Sequence, residues 1–291
     1  MAKARALDRR RKSIRSIRKI TRTMELISTA KFRKAMDRAL AASAYTKRIM
    51  ALVGHLTTAG AEVKHPLLEV HEPMSKAVLL VISANRGLCG GYNSSILRHG
   101  VSQFKLLQGA LPEVRLEVAG KRGISAFRFR KYDLAERFTN FEDKPTFADV
   151  DVLARRYLEW YQSGQLDRLD VVYTKFESLG RQYATAETLL PLARLDDEER
   201  HSAAAVHYEF LPSAASIVDE VVPASFKVKL FKCFLDAAVS EQIARRVAMK
   251  NATENAEGMI GSLSIAYNRA RQGQITGELL EIIGGAEALN K

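Results

Sequence analysis

Where the prolines fall constrains this 291-residue chain more than any other feature. There are seven: Pro66, Pro73, Pro112, Pro145, Pro191, Pro212 and Pro223. None precedes Pro66 and none follows Pro223. Proline removes a backbone donor and clashes with the preceding turn, so it breaks helix interiors. The two ends can therefore be long uninterrupted helices, and the middle must be built differently.

Periodicity agrees. Ile14, Ile17, Ile20, Met24 and Ile27 recur at spacings of three and four, which predicts one apolar stripe on an N-terminal helix. Gly54 and Gly60 weaken that helix and Pro66 ends it. At the other end the predicted stripe runs through Leu235, Val239, Ile243 and Val247, then Met259, Leu263, Tyr267 and Ala270. It closes on Ile275, Leu279 and Ile282. A helix over 224–290 would be about 100 Å long at about 1.5 Å per residue. No small domain buries such a helix alone, so a coiled coil is expected, with the longer helix overhanging.

Between the helices the pattern is α/β. Strands are expected at 77–82, 114–118, 134–138, 169–174, 183–189 and 207–210. Helices are expected at 91–107, 123–129 and 146–162. Early alternation of strand and helix implies a partly parallel, Rossmann-like sheet. The expected fold is an α/β knob inserted between two long terminal helices that form an antiparallel coiled coil. The boundaries fall at 1–65 for the N-terminal helix, 66–212 for the knob and 213–291 for the C-terminal helix.

The segment GLCGGYN at 87–93 has the strand–glycine–helix layout of a phosphate loop. Its register is wrong for both familiar forms. A GxxxxGK[ST] loop counted from Gly87 needs its second glycine at Tyr92, and no lysine follows. Gly87 and Gly90 do not fit GxGxxG either. A tight turn is expected instead, with Asn93 or Ser94 capping the next helix. No cofactor and no metal site is expected. The six histidines form neither HxxxH nor HExxH, and Cys89 and Cys233 make no CxxC. No GxSxG elbow occurs, and no catalytic constellation is expected.

The net charge of +12 lies almost entirely in one place. Residues 1–48 hold sixteen Lys or Arg against Asp8, Glu25 and Asp37. Three readings stand for this basic helix: a solvated coiled-coil face, a surface for an acidic protein partner, or a nucleic-acid-binding face. Only Phe32 and Tyr45 supply aromatics there, which argues against reading of bases. No apolar run reaches the roughly 18 residues of a membrane span, and no secretory leader is evident.

Several stretches resemble one family. KITRTMELISTAKFRKAM at 19–36, GLCGGYN at 87–93, SEQIARRVAMKNATENA at 240–256 and YNRARQGQITGELLEIIGGAEAL at 267–289 are similar to signatures of the gamma subunit of F-type ATP synthases. Gly277 departs from the Gln usual in the last of these. The resemblance implies a non-catalytic rotor shaft that couples rotation of a membrane c ring to ATP chemistry in beta subunits. It implies alpha and beta subunits of a catalytic hexamer, an epsilon subunit and the c ring as partners, and no nucleic acid. It also implies a peripheral position on the cytoplasmic face of the bacterial inner membrane. By resemblance the partner-contact residues are Met24, Arg245 (with Arg246 the alternative one position on), Arg271, Gln272, Thr276 and Glu278.

Overall fold

A five-stranded mixed sheet organises the middle of the chain. The computed structural model describes residues 2–58, 65–141, 144–192 and 214–289. Helix α1 (Ala2–Thr58) is followed by a short 3-10 turn at Pro66–Leu68. Then come β1 (Lys76–Ile82), α2 (Tyr92–Ala110), β2 (Glu113–Ala119), α3 (Lys121–Phe129) and β3 (Glu136–Phe138). Helix α4 (Phe147–Gln162), the hairpin β4 (Arg168–Ser178) and β5 (Arg181–Leu190), and helix α5 (Ala214–Leu289) complete the order. The strands lie β3-β2-β1-β4-β5. Strand β1 pairs parallel with β2 and β4, β2 pairs parallel with β3, and β4–β5 is antiparallel.

The sequence of β1, KAVLLVI, is apolar without alternation because both of its faces are covered. Val78, Leu80 and Ile82 point into a core shared with Tyr157 and Tyr161 of α4 and Phe226 and Leu230 of α5. Ala77, Leu79 and Val81 point into the opposite core, with Ile96 and Phe104 of α2 and Phe127 of α3. A third cluster joins Ala35 and Ala39 of α1 to Leu235, Val239 and Ile243 of α5. Thr146 caps α4, its Oγ1 accepting the Asp149 N–H at 3.2 Å.

Three sequence expectations change. The strand expected at 134–138 is only Glu136–Phe138; Leu134 is buried as loop instead. The hairpin strands are longer than expected, reaching Ser178 and starting again at Arg181. Helix α5 begins at Ala214, ten residues before the 224–290 stretch expected to be uninterrupted, and passes through Pro223. An interior proline costs about 3 kcal/mol; burial of Val218, Val222 and Phe226 around it offsets that cost. The strand expected at 207–210 lies outside the described residues.

The chain divides into two compact units, one of residues 1–29 with 245–291 and one of residues 30–244.

Candidate functional site

The glycine loop is the first place to look for chemistry. The turn after β1 takes left-handed backbone at Leu88 (φ 65°) and Gly90 (φ 55°). Neither expected residue caps α2. Asn93 Oδ1 accepts the Ala84 N–H at 3.1 Å and its Nδ2 reaches Cys89 Sγ at 3.0 Å. The Ser94 hydroxyl donates to the Gly91 carbonyl, and Gly91 stands at the cap position with no side chain to offer. Asn93 thus ties the loop to the strand end.

The amides at the start of α3, which opens beside the end of β1, are occupied by the chain itself. Lys121 N–H donates to Asn85 Oδ1 at 3.0 Å, Arg122 N–H to the Ala84 carbonyl at 3.0 Å, and Gly123 N–H to Ser83 Oγ at 2.9 Å. Gly120, at φ 99°, lets the backbone close on Ser83; a Cβ there would collide with the Ser83 carbonyl oxygen. In doubly wound sheets ligands sit where strand order reverses, outside the carboxyl ends of the strands. That crevice is filled here. Phe141 and Phe234 pack with ring centroids 4.4 Å apart, and the Tyr92 hydroxyl donates to the Ala237 carbonyl at 3.1 Å. The space left is about 20 Å³, room for a water and not for a nucleotide.

Titratable groups elsewhere have structural employment. His65 Nδ1 accepts the Leu67 N–H, and His71 pairs with Asp167 at 3.0 Å. Both cysteines are buried, and burial pushes the Cys233 thiol well above its usual value. Glu117, buried against the Tyr157 hydroxyl and Arg156, is raised by the same desolvation. Among the described residues no three His, Cys, Asp or Glu side chains gather in a way that would hold a metal.

The unit of 1–29 with 245–291 is a pair of antiparallel helices. Thr253 Oγ1 lies 2.8 Å from Thr21 Oγ1, Arg18 faces Glu257 at 3.6 Å, and the Arg11 guanidinium sits 4.5 Å over the Tyr267 ring. The seam is made mostly of small or hydroxyl side chains: Ala4, Thr21 and Ser28 on α1 against Thr253 and Ala256 on α5, with Arg245 and Met249 the large buried members on α5. Seven-residue steps link Thr21 to Ser28 and Met249 to Ala256, as a coiled coil requires.

This corrects the predicted stripes. Ile17, Ile20 and Ile27 are 47%, 59% and 50% exposed and face out, whereas Ile14 and Met24 of the same predicted stripe are half-buried. On α5 Leu235, Val239 and Ile243 are buried as expected, whereas Val247, Met259, Ile275, Leu279 and Ile282 are exposed. Close helix approach selects small residues for the seam, and hydropathy ranks those below the isoleucines beside them.

The residues singled out by resemblance are distributed as follows. Met24 is half-buried, one turn along α1 from Thr21. Arg245 is only 6% exposed while its neighbour Arg246 is exposed, two turns back along α5 from Thr253. Arg271, Gln272, Thr276 and Glu278 are all exposed within two turns of α5. The Thr276 hydroxyl donates to the Gln272 carbonyl at 3.0 Å, and Gln274 Nε2 to Glu278 at 2.7 Å. Sequence reasoning missed that Arg5 and Arg9 line one surface groove with Arg271, Tyr267 and Gln274. Their spacing of four on a basic helix was the available signal. Every described side chain over 278–286 is exposed.

A family model described as ATP synthase matches residues 3–289. An ATP synthase gamma chain of Rhodopirellula baltica is 58% identical over 294 residues, covering 99% of both chains. This chain belongs to the ATP synthase gamma-chain family. A second gamma-chain relative, from Leptospira biflexa, is 38% identical over the full length of both. A chain in the cryo-EM structure of the Euglena gracilis mitochondrial ATP synthase, OSCP/F1/c-ring, has the same fold. It superposes with a TM-score of 0.66 at 19% identity, over 99% of this chain and 95% of that one. For this gamma-family chain, no helix among the described residues is long and apolar enough to cross a membrane.

Proposed function

We propose that this gamma-family chain is the central rotor shaft of a proton-translocating F-type ATP synthase. In this reading alpha and beta subunits sheath the helical pair, and the epsilon subunit and membrane c ring engage the α/β unit. The catalytic sites lie on beta subunits and the chain itself is not an enzyme. Its place is the cytoplasmic face of the bacterial inner membrane, as a peripheral protein.

One observation carries the reading. The helical pair keeps small residues inside and turns its large aliphatics outward: Ile17, Ile20 and Ile27 on α1, and Ile265, Leu280 and Ile282 on α5 at 73%, 63% and 73% exposed. So much outward apolar surface on one element marks a binding face. The same stretch of α1 exposes Arg9, Arg10, Lys12, Arg15, Lys19 and Arg22, suited to an acidic partner. Exposed ion pairs contribute about 0–1 kcal/mol each, so a turning shaft can release them. The contacts are assigned to Met24, Arg271, Gln272, Thr276 and Glu278, with the exposed Arg246 in place of the buried Arg245.

Mixing the chain with cognate alpha and beta subunits tests this. A stable complex that hydrolyses ATP is expected. Subunits that remain separate on size exclusion would sink the reading.

A further inference from the structure

The tip of α3 presents a feature that the helical surface does not account for. Phe129 is 89% exposed, although the same short helix buries Gly123, Ile124 and Phe127. It stands in the run Arg128-Phe129-Arg130-Lys131, and all four residues are exposed. None of the three cations is ion-paired to a described residue. Between 121 and 137 there are six Lys or Arg against Asp133 and Glu136.

The tip is held in one shape. Arg130 N–H donates to the Ala126 carbonyl, Lys131 N–H to Arg128 and Tyr132 N–H to Phe127, a helix-terminating pattern whose reversal falls on Lys131 at φ 63°. Glycine is the residue usual at that position, because a Cβ is disfavoured in left-handed backbone. Tyr132 then locks the turn, meeting the rings of Phe104 and Phe127 edge-on at 5.8 and 5.6 Å. Lysine stands where glycine would be more stable, so this side chain is presented from fixed left-handed backbone.

The geometry points to a docking tip for an acidic protein surface, in which Phe129 enters an apolar pocket and Arg128, Arg130 and Lys131 meet Asp or Glu carboxylates around it. An aromatic ringed by arginines, pre-set on rigid backbone, is the composition of an interface hot spot. A single-stranded nucleic acid is the poorer fit. It stacks successive bases on successive aromatics, and the nearest others, Tyr132 and Phe127, are packed inward. The proposal adds a contact to the rotor reading and does not depend on it.

The test places the photoreactive p-benzoylphenylalanine at position 129 of the full chain in intact cells, with position 106 as control. Leu106 is 65% exposed on α2 and outside the basic cluster. Illumination should join position 129 to one protein peptide carrying at least two Asp or Glu within about five residues of the adduct. Arg128→Glu with Arg130→Glu should lower that adduct at least fivefold. Lys131→Gly should raise the unfolding midpoint while lowering the adduct at least twofold, which a purely structural lysine would not do. No adduct above the control, or one to lipid, nucleic acid or an acid-poor peptide, overturns the proposal. Co-purification of alpha and beta subunits from the same cells reports separately on the rotor reading.

Discussion

Replacing Asp236 by asparagine should stabilise the α/β unit at neutral pH, and the gain should vanish in acid. Asp236 lies on α5, 3% exposed, and its Oδ2 has no hydrogen-bond partner among the described residues. Burial raises its carboxyl from 3.8 to about 6. Lys232, Lys175 and the N–H of Phe176 pull it down, and Glu187 pushes it further up. Cys233 and Tyr173, the other ionisable groups beside it, are themselves raised by burial. The native state therefore holds a proton that the unfolded chain has already released. Stability falls as pH climbs from about 4 to about 6, and the full cost is present above that. A carboxyl displaced this far costs about 3 kcal/mol at pH 7.5. Asparagine keeps an oxygen for the Phe176 N–H and carries no charge. Asp236→Asn should thus gain about 2–3 kcal/mol at pH 7.5 and almost nothing at pH 4. Trp160, the only tryptophan, sits in α4 and reports unfolding of this unit in urea. A difference between variant and parent that is flat from pH 4 to 7.5, or a loss at pH 7.5, would refute the reasoning.

Gly120→Ala should cost at least about 3 kcal/mol by the same fluorescence titration, because φ 99° and the Ser83 carbonyl both oppose a side chain. An unchanged urea midpoint would contradict the close approach. Gly273→Ala with Gly277→Ala should stiffen α5. Neither Cβ meets an atom within 4 Å, each change favours helix by about 0.8–1 kcal/mol, and hydrogen-exchange protection over 265–285 should rise roughly tenfold or more. Faster exchange there would count against a continuous helix. If Met24 makes the contact assigned to it and that contact faces carboxylates, Met24→Lys should assemble normally and pump fewer protons per ATP; an unaltered ratio argues against that contact.

Much of the fold was legible in the sequence for identifiable reasons. Proline spacing marked both long helices, and the unbroken apolar run 77–82 marked a strand buried on two faces. What failed was the choice of faces. Thr21 and Ser28 line the α1 side of the seam because two backbones must come close, yet their hydropathy is unremarkable. Ile17 and Ile20 look like core and are outside, because a close helix seam admits small side chains in preference to large ones. Pro223 misled because a proline whose neighbours are deeply packed can stay within a helix. The wrong register of 87–91 for a phosphate loop was visible from glycine spacing alone. That Ser83, Ala84 and Asn85 take up the α3 amides was not, since those contacts join segments nearly forty residues apart. Resemblance favoured Arg245, with Arg246 the alternative one position on; the first is buried and the second exposed.

The narrow seam between α1 and α5 has a mechanical consequence. Helices that meet through Ala4, Thr21, Ser28 and Ala256 lie close together, and the torsional resistance of a rod falls steeply as it thins. A driven pair of this kind behaves as a spring as well as an axle. It takes up twist while one end waits and returns it when that end is free to move, so the two ends need not advance in steps of the same size.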